Sequence, residues 1–272
     1  LRPPAPKAGA MTGLRYTPKF LANIIYIDYR TFSGEVYNDG FRRADFVRVI
    51  FKLWSEKTEL IEAKSKNIER HIRENNKDLL LEFMETAVQA GCKMAHVKTR
   101  EEATQHIISI TQTIKPKTVI RSTHSILETI EIDQALSTQG VSTKILALES
   151  EIDTEKQNAE RAILRQHAIK SDIGITGVDY AIAETGSCVL LAKPGTSRLV
   201  SLLPPVHIAV VLSNQILPSL DELFTLRSKN FLRGDFDRYM SIITGPSRSA
   251  DIEQTIVTGV HGPGEVHIVL LE

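Results

Sequence analysis

The sequence predicts an α/β protein, a three-layer sandwich on a mostly parallel sheet with a helical extension at its N-terminal end. Three observations predict it. From about Met94 onward, short β-branched runs alternate with helix-length amphipathic stretches, the order that covers both faces of a parallel sheet with helices. The strand-like runs, such as 206–212 and 266–271, are nearly continuous in apolar residues, as strands buried on both faces are. Residues 41–90, by contrast, contain neither proline nor glycine and carry a helical period.

In that extension Ile61, Ile68, Ile72, Leu79 and Phe83 fall at steps of seven and four, which places them on one stripe of one or two amphipathic helices. The opposite face alternates in sign through Glu56, Lys57, Glu62, Lys64, Lys66, Glu69, Arg70, Arg73 and Glu74, the pattern of a solvated helix surface. The stripe either packs on its own domain or serves as a docking or dimerisation seam. Residues 20–37 are equally compatible with a helix and a hairpin. The expected boundary puts the extension at 1–85 and the α/β domain at 86–272.

Within the domain the pattern reads strand 94–99, helix 101–114, strand 118–122, helix 126–136 and strand 141–148. A further helix runs over 154–169, with Thr154 as N-cap and Glu155 in the first turn. Beyond Ser171 the spacing tightens. Strands are expected at 173–176, 181–183, 187–191, 206–212, 241–244 and 266–271, with one helix over 220–232.

Composition narrows the functions available. Lys plus Arg and Asp plus Glu both total 33, so no net field recruits nucleic acid or an anionic membrane. No run approaches the roughly 18 apolar residues of a membrane span. The segment 1–10 has no apolar core of a signal peptide and Met11 is an alternative initiator, so the expectation is a cytoplasmic protein. Cys92 and Cys188 are the two cysteines of the sequence, far apart and without a CxxC. They support neither a disulfide framework nor a thiolate cluster and are expected as small buried hydrophobes. There is no GxGxxG after a strand, no Walker loop, no GxSxG and no HExxH, so no cofactor site is identifiable in this chain.

The last hundred residues gather glycine, proline and isolated polar residues into four blocks: 174–187, 201–207, 245–253 and 259–264. Each sets turn residues beside a carboxylate, imidazole, hydroxyl or guanidinium, so amides and side chains are expected to converge on one small anionic ligand. In the first, Thr176, Gly177 and Asp179 precede Glu184, Thr185 and Gly186. The Glu184 carboxylate beside a glycine turn is a candidate nucleophile or general base, or else a partner for loop amides. In the third, Ser247, Arg248 and Ser249 offer hydroxyls and a forked guanidinium to a carboxylate or phosphate; the alternative is an ion pair from Arg248 to Asp251 or Glu253. His207 and His261 are candidate acid/base or ligand-orienting groups, or hydrogen-bonded core histidines. Asp251 and Glu253 lack a third partner, so no metal site is expected. Arg121-Ser122, closing a strand, is the matching candidate from the first half, or an ordinary junction with Ser122 or Thr123 as N-cap.

In this order, and separated by apolar strands, the four blocks resemble the lactate-utilisation (LUD) domain, specifically its LutC/YkgG-type proteins. The likeness is dense over 171–272 and thins back to about residue 85. It implies an assembly with iron–sulfur partner subunits that oxidises L-lactate to pyruvate, the clusters residing in the partners, and a fold related to sugar-phosphate isomerases and CoA transferases. Ala183-Glu184-Thr185-Gly186 looks like the transferase element whose glutamate is the covalent nucleophile. Three roles stay open: a subunit holding a small carboxylate near Glu184 and Arg248, a non-catalytic assembly or regulatory subunit, and a free-standing CoA-transferase- or isomerase-like enzyme using Glu184. A homo-oligomer is compatible with each.

Overall fold

A computed structural model describes residues 43–147, 154–191, 197–232, 239–250 and 256–272. The chain divides into two compact units, Leu1–Lys57 and Thr58–Glu272.

Helix α1 (Arg43–Glu74) ends at Asn75, whose φ of −115° and ψ of 20° break the helix before α2 (Asn76–Gln89). The predicted stripe is real. Leu79 and Phe83 are buried, and Ile72 packs against the same core, so this part of the stripe serves its own domain. The expected 85/86 boundary falls inside α2, whose Leu79, Leu80, Phe83 and Ala87 all belong to the α/β core.

Next come β1 (Lys93–Val97), α3 (Arg100–Ile114), β2 (Thr118–Arg121), α4 (Ser125–Thr129), α5 (Ile132–Thr138), β3 (Ser142–Ile145), α6 (Thr154–Ile169) and β4 (Ile173–Gly177). The expected single helix over 126–136 is two. Glu131 adopts a left-handed φ of 50° between them, which lets Ile126, Leu127, Ile130, Ile132 and Leu136 enter one core. The break also lets Asp133 of α5 accept from the guanidinium of Arg121, which is 3% exposed at the end of β2. Arg121 is thereby spoken for within the fold.

The rest comprises β5 (Tyr180–Ile182), β6 (Ser187–Leu191), α7 (Ser197–Leu202), β7 (Val206–Leu212), β8 (Ile216–Leu217), α8 (Leu220–Leu232), β9 (Met240–Ile243), β10 (Arg248–Ala250), β11 (Ile256–Thr258) and β12 (Glu265–Leu271). The main sheet has six strands, all parallel, in the order β1-β12-β7-β4-β2-β3. A second sheet, β8-β5-β6-β9, is of mixed direction, and β10 pairs with β11 as a hairpin. β7 is buried along almost its whole length, which is why it reads as a continuous apolar run.

Side chains alternate across the main sheet. One face, through Ile173, Ile175, Val206, Ile208, Val210, Val269 and Leu271, packs against α3, α4 and α5. The other carries Ala209, Val211, Val266, Ile268 and Leu270 against α2 and the second sheet, with Ile120 against α6 and α7. Gly174 of β4 admits α7, since a Cβ there would lie 1.9 Å from the carbonyl oxygen of Val200. Proximity of backbone to backbone at this point demands glycine.

Candidate functional site

The structure sorts the predicted site residues into three places rather than one. The first is a shelf at the C-terminal end of α2. Gly186 (φ 64°) lies against Ala87, Gly245 (φ 77°) against the Ala90 carbonyl, and Gly91 (φ 96°) against the Arg248 guanidinium. Thr86 Oγ1 donates to the Ala183 carbonyl (2.6 Å). Hydroxyls link the two loops, Thr185 to Ser187 (2.7 Å) and Ser187 to Thr244 (2.6 Å). Glu184 and Arg248, about sixty residues apart in sequence, thus flank one helix end, both exposed. One Arg248 nitrogen donates to the Ala90 carbonyl (3.1 Å). That bond caps orphan carbonyls at the negative end of the helix.

Ser247, Ser249 and His261 adjoin this shelf through backbone. Ser247 N–H donates to Pro263, Gly259 N–H to Ser247, and His261 N–H to Ser247 Oγ (3.3 Å). Ser249 pairs with Val257 in the β10–β11 hairpin. Gly264 and Glu265 N–H both donate to Pro205, which fixes these loops at the amino end of β7 and β12. Asp251 and Glu253 lie outside the described residues.

The second place is internal. Thr176 Oγ1 and His207 Nε2 share a hydrogen bond at 2.8 Å, both residues 0% exposed on one face of β4 and β7. Burial pushes the imidazole down to about 4, so His207 is neutral near pH 7. Its Nδ1, and the Ser122 hydroxyl beyond β2, are buried without a hydrogen-bond partner. Desolvation also pushes the Cys92 thiol up to about 11 and Cys188 higher still. Both cysteines are the buried hydrophobes expected.

The third place is the carboxyl edge of the main sheet. β2 sends its connection, α4 and α5, to one face, whereas neighbouring β4 sends its own, through Val178 and Ala181, to the other. Adjacent strands that part in this way leave a crevice beyond their carboxyl ends, where open α/β sheets bind ligands. Gly177 and Asp179 emerge there from β4, and His124 from β2. The imidazole lies against Gly177, where a Cβ would stand 2.2 Å from Nδ1. Ile126 N–H donates to Nδ1 (3.3 Å), so the neutral ring carries its proton on Nε2. Nε2 is 3.8 Å from Asp179 Oδ1, the two side chains being 11% and 12% exposed. Asp179 Oδ2 accepts from Leu191 N–H (2.8 Å).

His124 lines a cleft of about 650 Å³, within the usual range for small-molecule sites. Its other walls include Lys98, Arg100, Glu101, Gln215 and Glu272. None of these residues stood out in the sequence. The missed signal was local: Ser122 and Thr123 were the expected caps, but the cap of α4 is His124. Among the described residues no group of three His, Cys, Asp or Glu side chains could hold a metal ion, and no helix is long and apolar enough to cross a membrane.

With these places defined, comparison with known proteins adds lineage. The sequence pattern of the LUD domain matches residues 80–271, well over half of the chain. The chain belongs to the LUD domain family. Its similarity to Lactate utilization protein B of Bacillus subtilis (strain 168) is 28% identity over 250 residues, covering 76% of this chain and 50% of that one. Lactate utilization protein C of Exiguobacterium sp. is 42% identical over 112 residues, 39% of this chain and 47% of the other. An Escherichia coli (strain K12) protein named "Uncharacterized electron transport protein YkgF" is 24% identical over 250 residues, 77% of this chain and 51% of that one. The chain therefore spans about half the length of the curated relatives it matches. A crystal structure of a DUF162 family protein from Deinococcus radiodurans superposes with a TM-score of 0.46 at 20% identity, over 72% of this chain and 98% of that one. The LUD match begins inside α2, and all three places lie within it except Glu272 of the cleft wall.

Proposed function

We propose that this chain is a subunit of an L-lactate utilisation system, acting with iron–sulfur partner subunits that carry lactate to pyruvate, and that it holds a small carboxylate on the Glu184/Arg248 shelf. The lineage supports the pathway, since relatives covering most of the chain carry lactate-utilisation names. The two cysteines of the stretch described are both buried, so it does not itself offer the roughly four thiolates that hold such a cluster.

The ligand rests on one observation. Arg248 is exposed, yet Gly91 and the Ala90 carbonyl fix one edge of its guanidinium, so a planar donor fork is pre-oriented for a carboxylate. The adjacent helix end is electronegative and weakens the field, so affinity is modest. Thermal unfolding with L-lactate and pyruvate tests it. A ligand that binds only the folded chain raises the melting temperature; the rise is expected to vanish in Arg248→Ala and to shrink in Arg248→Lys. Equal shifts in parent and Arg248→Ala would refute the assignment.

A second reading, partner docking without catalysis, has its own observation. Leu81 and Val88, seven residues apart on α2, are 63% and 56% exposed, an apolar stripe facing solvent. Under it, Leu81→Glu with Val88→Glu abolishes co-purification with iron–sulfur partners while carboxylate binding persists.

A further inference from the structure

Two helices, α2 and α6, are apolar on part of the face they turn to solvent as well as on the face they bury. α2 buries Leu79, Leu80, Phe83 and Ala87 against β7, β12 and the second sheet. α6 buries Leu164 and Ala168 against Ile120 of β2 and against Leu146. On the outer side of α2, Leu81 and Val88 are exposed, seven residues and so about two turns apart. On the outer side of α6, Ile163 and Ile169 are 57% and 50% exposed, and Ala159 and Ala162 are exposed with them. At about 100° per residue these four fall within roughly a third of the helix circumference. Exposed apolar stripes of this kind mark contact surfaces.

The charges beside the two stripes are opposite in sign. Next to Leu81 and Val88 runs a row of exposed carboxylates, Asp78, Glu82 and Glu85, with Lys77 as the one cation of that helix. Next to the α6 stripe stand Arg161 and Arg165, with Lys170 just past the helix end, and among the described side chains of α6 no carboxylate is exposed. These groups are uncommitted. Asp78, Glu82, Arg161, Arg165 and Lys170 hold no ion pair among the described residues, and the Glu85 carboxylate accepts from its helix neighbour Gln89 (3.2 Å).

We propose that α2 of one copy docks on α6 of the next, with Leu81 and Val88 against the 159–169 stripe and the carboxylate row against Arg161 and Arg165, so that the chain self-associates head to tail. The occupant is a second copy because the complement of each face, apolar row and charge alike, is carried by this same chain. The two helices lie over different strands of the main sheet, so one copy cannot join them within itself. Two unlike faces make a heterologous contact, which continues past a pair into a ring or a row. One helix against another is small beside the roughly 1,200–2,000 Å² of a stable complex, so assembly depends on concentration. Opposite charges at its rim make it weaken with salt. The inference is independent of the carboxylate shelf, and it gives the α2 stripe a second copy in place of an iron–sulfur partner.

Sedimentation equilibrium of the full chain tests the proposal. Between about 10 and 500 μM protein, the mean mass is expected to rise past twice the monomer in roughly 0.05 M salt and to fall back in roughly 1 M salt. Glu82→Lys with Glu85→Lys turns the α2 face basic, and Arg161→Glu with Arg165→Glu turns the α6 face acidic. All four positions are exposed, so both variants are expected to melt like the parent and to stay monomeric alone. Their equimolar mixture should regain the mass, because the basic α2 of one meets the acidic α6 of the other while the two unaltered faces still match. A parent monomeric at every concentration, association indifferent to Arg161→Glu with Arg165→Glu, or a mixture no heavier than its components would overturn the proposal. None of these results bears on the carboxylate assignment, which is read from thermal shifts at Arg248.

Discussion

Replacing Gly177 with alanine adds one methyl group at the junction of fold and crevice, where His124 and Ile126 leave no room for it. Gly177 does not adopt a left-handed φ, so alanine meets no backbone penalty and the effect is steric. The new Cβ would lie 2.2 Å from His124 Nδ1, 2.3 Å from its Cγ and 2.6 Å from Ile126 Cγ2. All three are side-chain atoms, so the imidazole must swing away and Ile126 must shift within its core. Losing the cap of α4 costs about 1 kcal/mol, and forcing a methyl into packed side chains about 1–3 kcal/mol. The expected destabilisation is about 2–4 kcal/mol, which for a domain of this size lowers the melting temperature by roughly 4–16 °C. His124→Ala removes the two closest clashing atoms, so the double variant should fall short of the summed single effects by about 1–2 kcal/mol. Urea unfolding of parent, singles and double measures this. A single variant melting within about 1 °C of the parent, or strict additivity in the double, would refute the placement of the imidazole against β4.

Three further outcomes are expected. Gly174→Ala sets a methyl 1.9 Å from a backbone oxygen of α7, which a rotamer change cannot relieve, so the soluble yield should collapse, whereas Gly140→Ala, with open space around it, costs about 1 kcal/mol from its positive φ; equal stability of the two would contradict the α7–β4 contact. His207 should make stability fall with acid: its folded value is about 4 against 6.5 unfolded, so the unfolded chain takes up the proton first and up to about 3 kcal/mol is lost between pH 6.5 and 4. His106 and His267 are also lowered by desolvation and add slope of the same sign, so the readout is the parent minus His207→Asn difference in urea midpoint, and a flat difference would show that His207 is not buried neutral. Cys92 and Cys188, both buried with raised thiol values, should resist iodoacetamide at pH 8 until denaturant is added, since the thiolate is the reacting form; stoichiometric labelling of the native chain would contradict their burial.

Much of the secondary structure was legible because it depends on local pattern. The continuous apolar run of β7 and the stripe through Leu79 and Phe83 report burial directly, residue by residue. The split of the 126–136 helix was not legible, because Glu131 takes a left-handed φ only when Ile126, Leu127, Ile130, Ile132 and Leu136 share one core. Among candidate site residues, the turn glycines marked the loops correctly as places of close approach: Gly186 and Gly245 both meet α2, and Gly177 meets His124.

What sequence alone determined, then, was the order of elements, the alternation that makes a parallel sheet, the burial of both cysteines and the loops rich in polar groups. Tertiary structure decided which loops meet. The residues of the 245–264 blocks gather at the amino end of β7 and β12, while Asp179 emerges at the carboxyl end of β4 beside His124, some fifty residues earlier in the chain. Strand order is the physical reason. Composition and periodicity report how each segment meets its surroundings, whereas the order β1-β12-β7-β4-β2-β3 depends on how all the segments pack together, and it alone puts β2 beside β4 and opens the crevice between them.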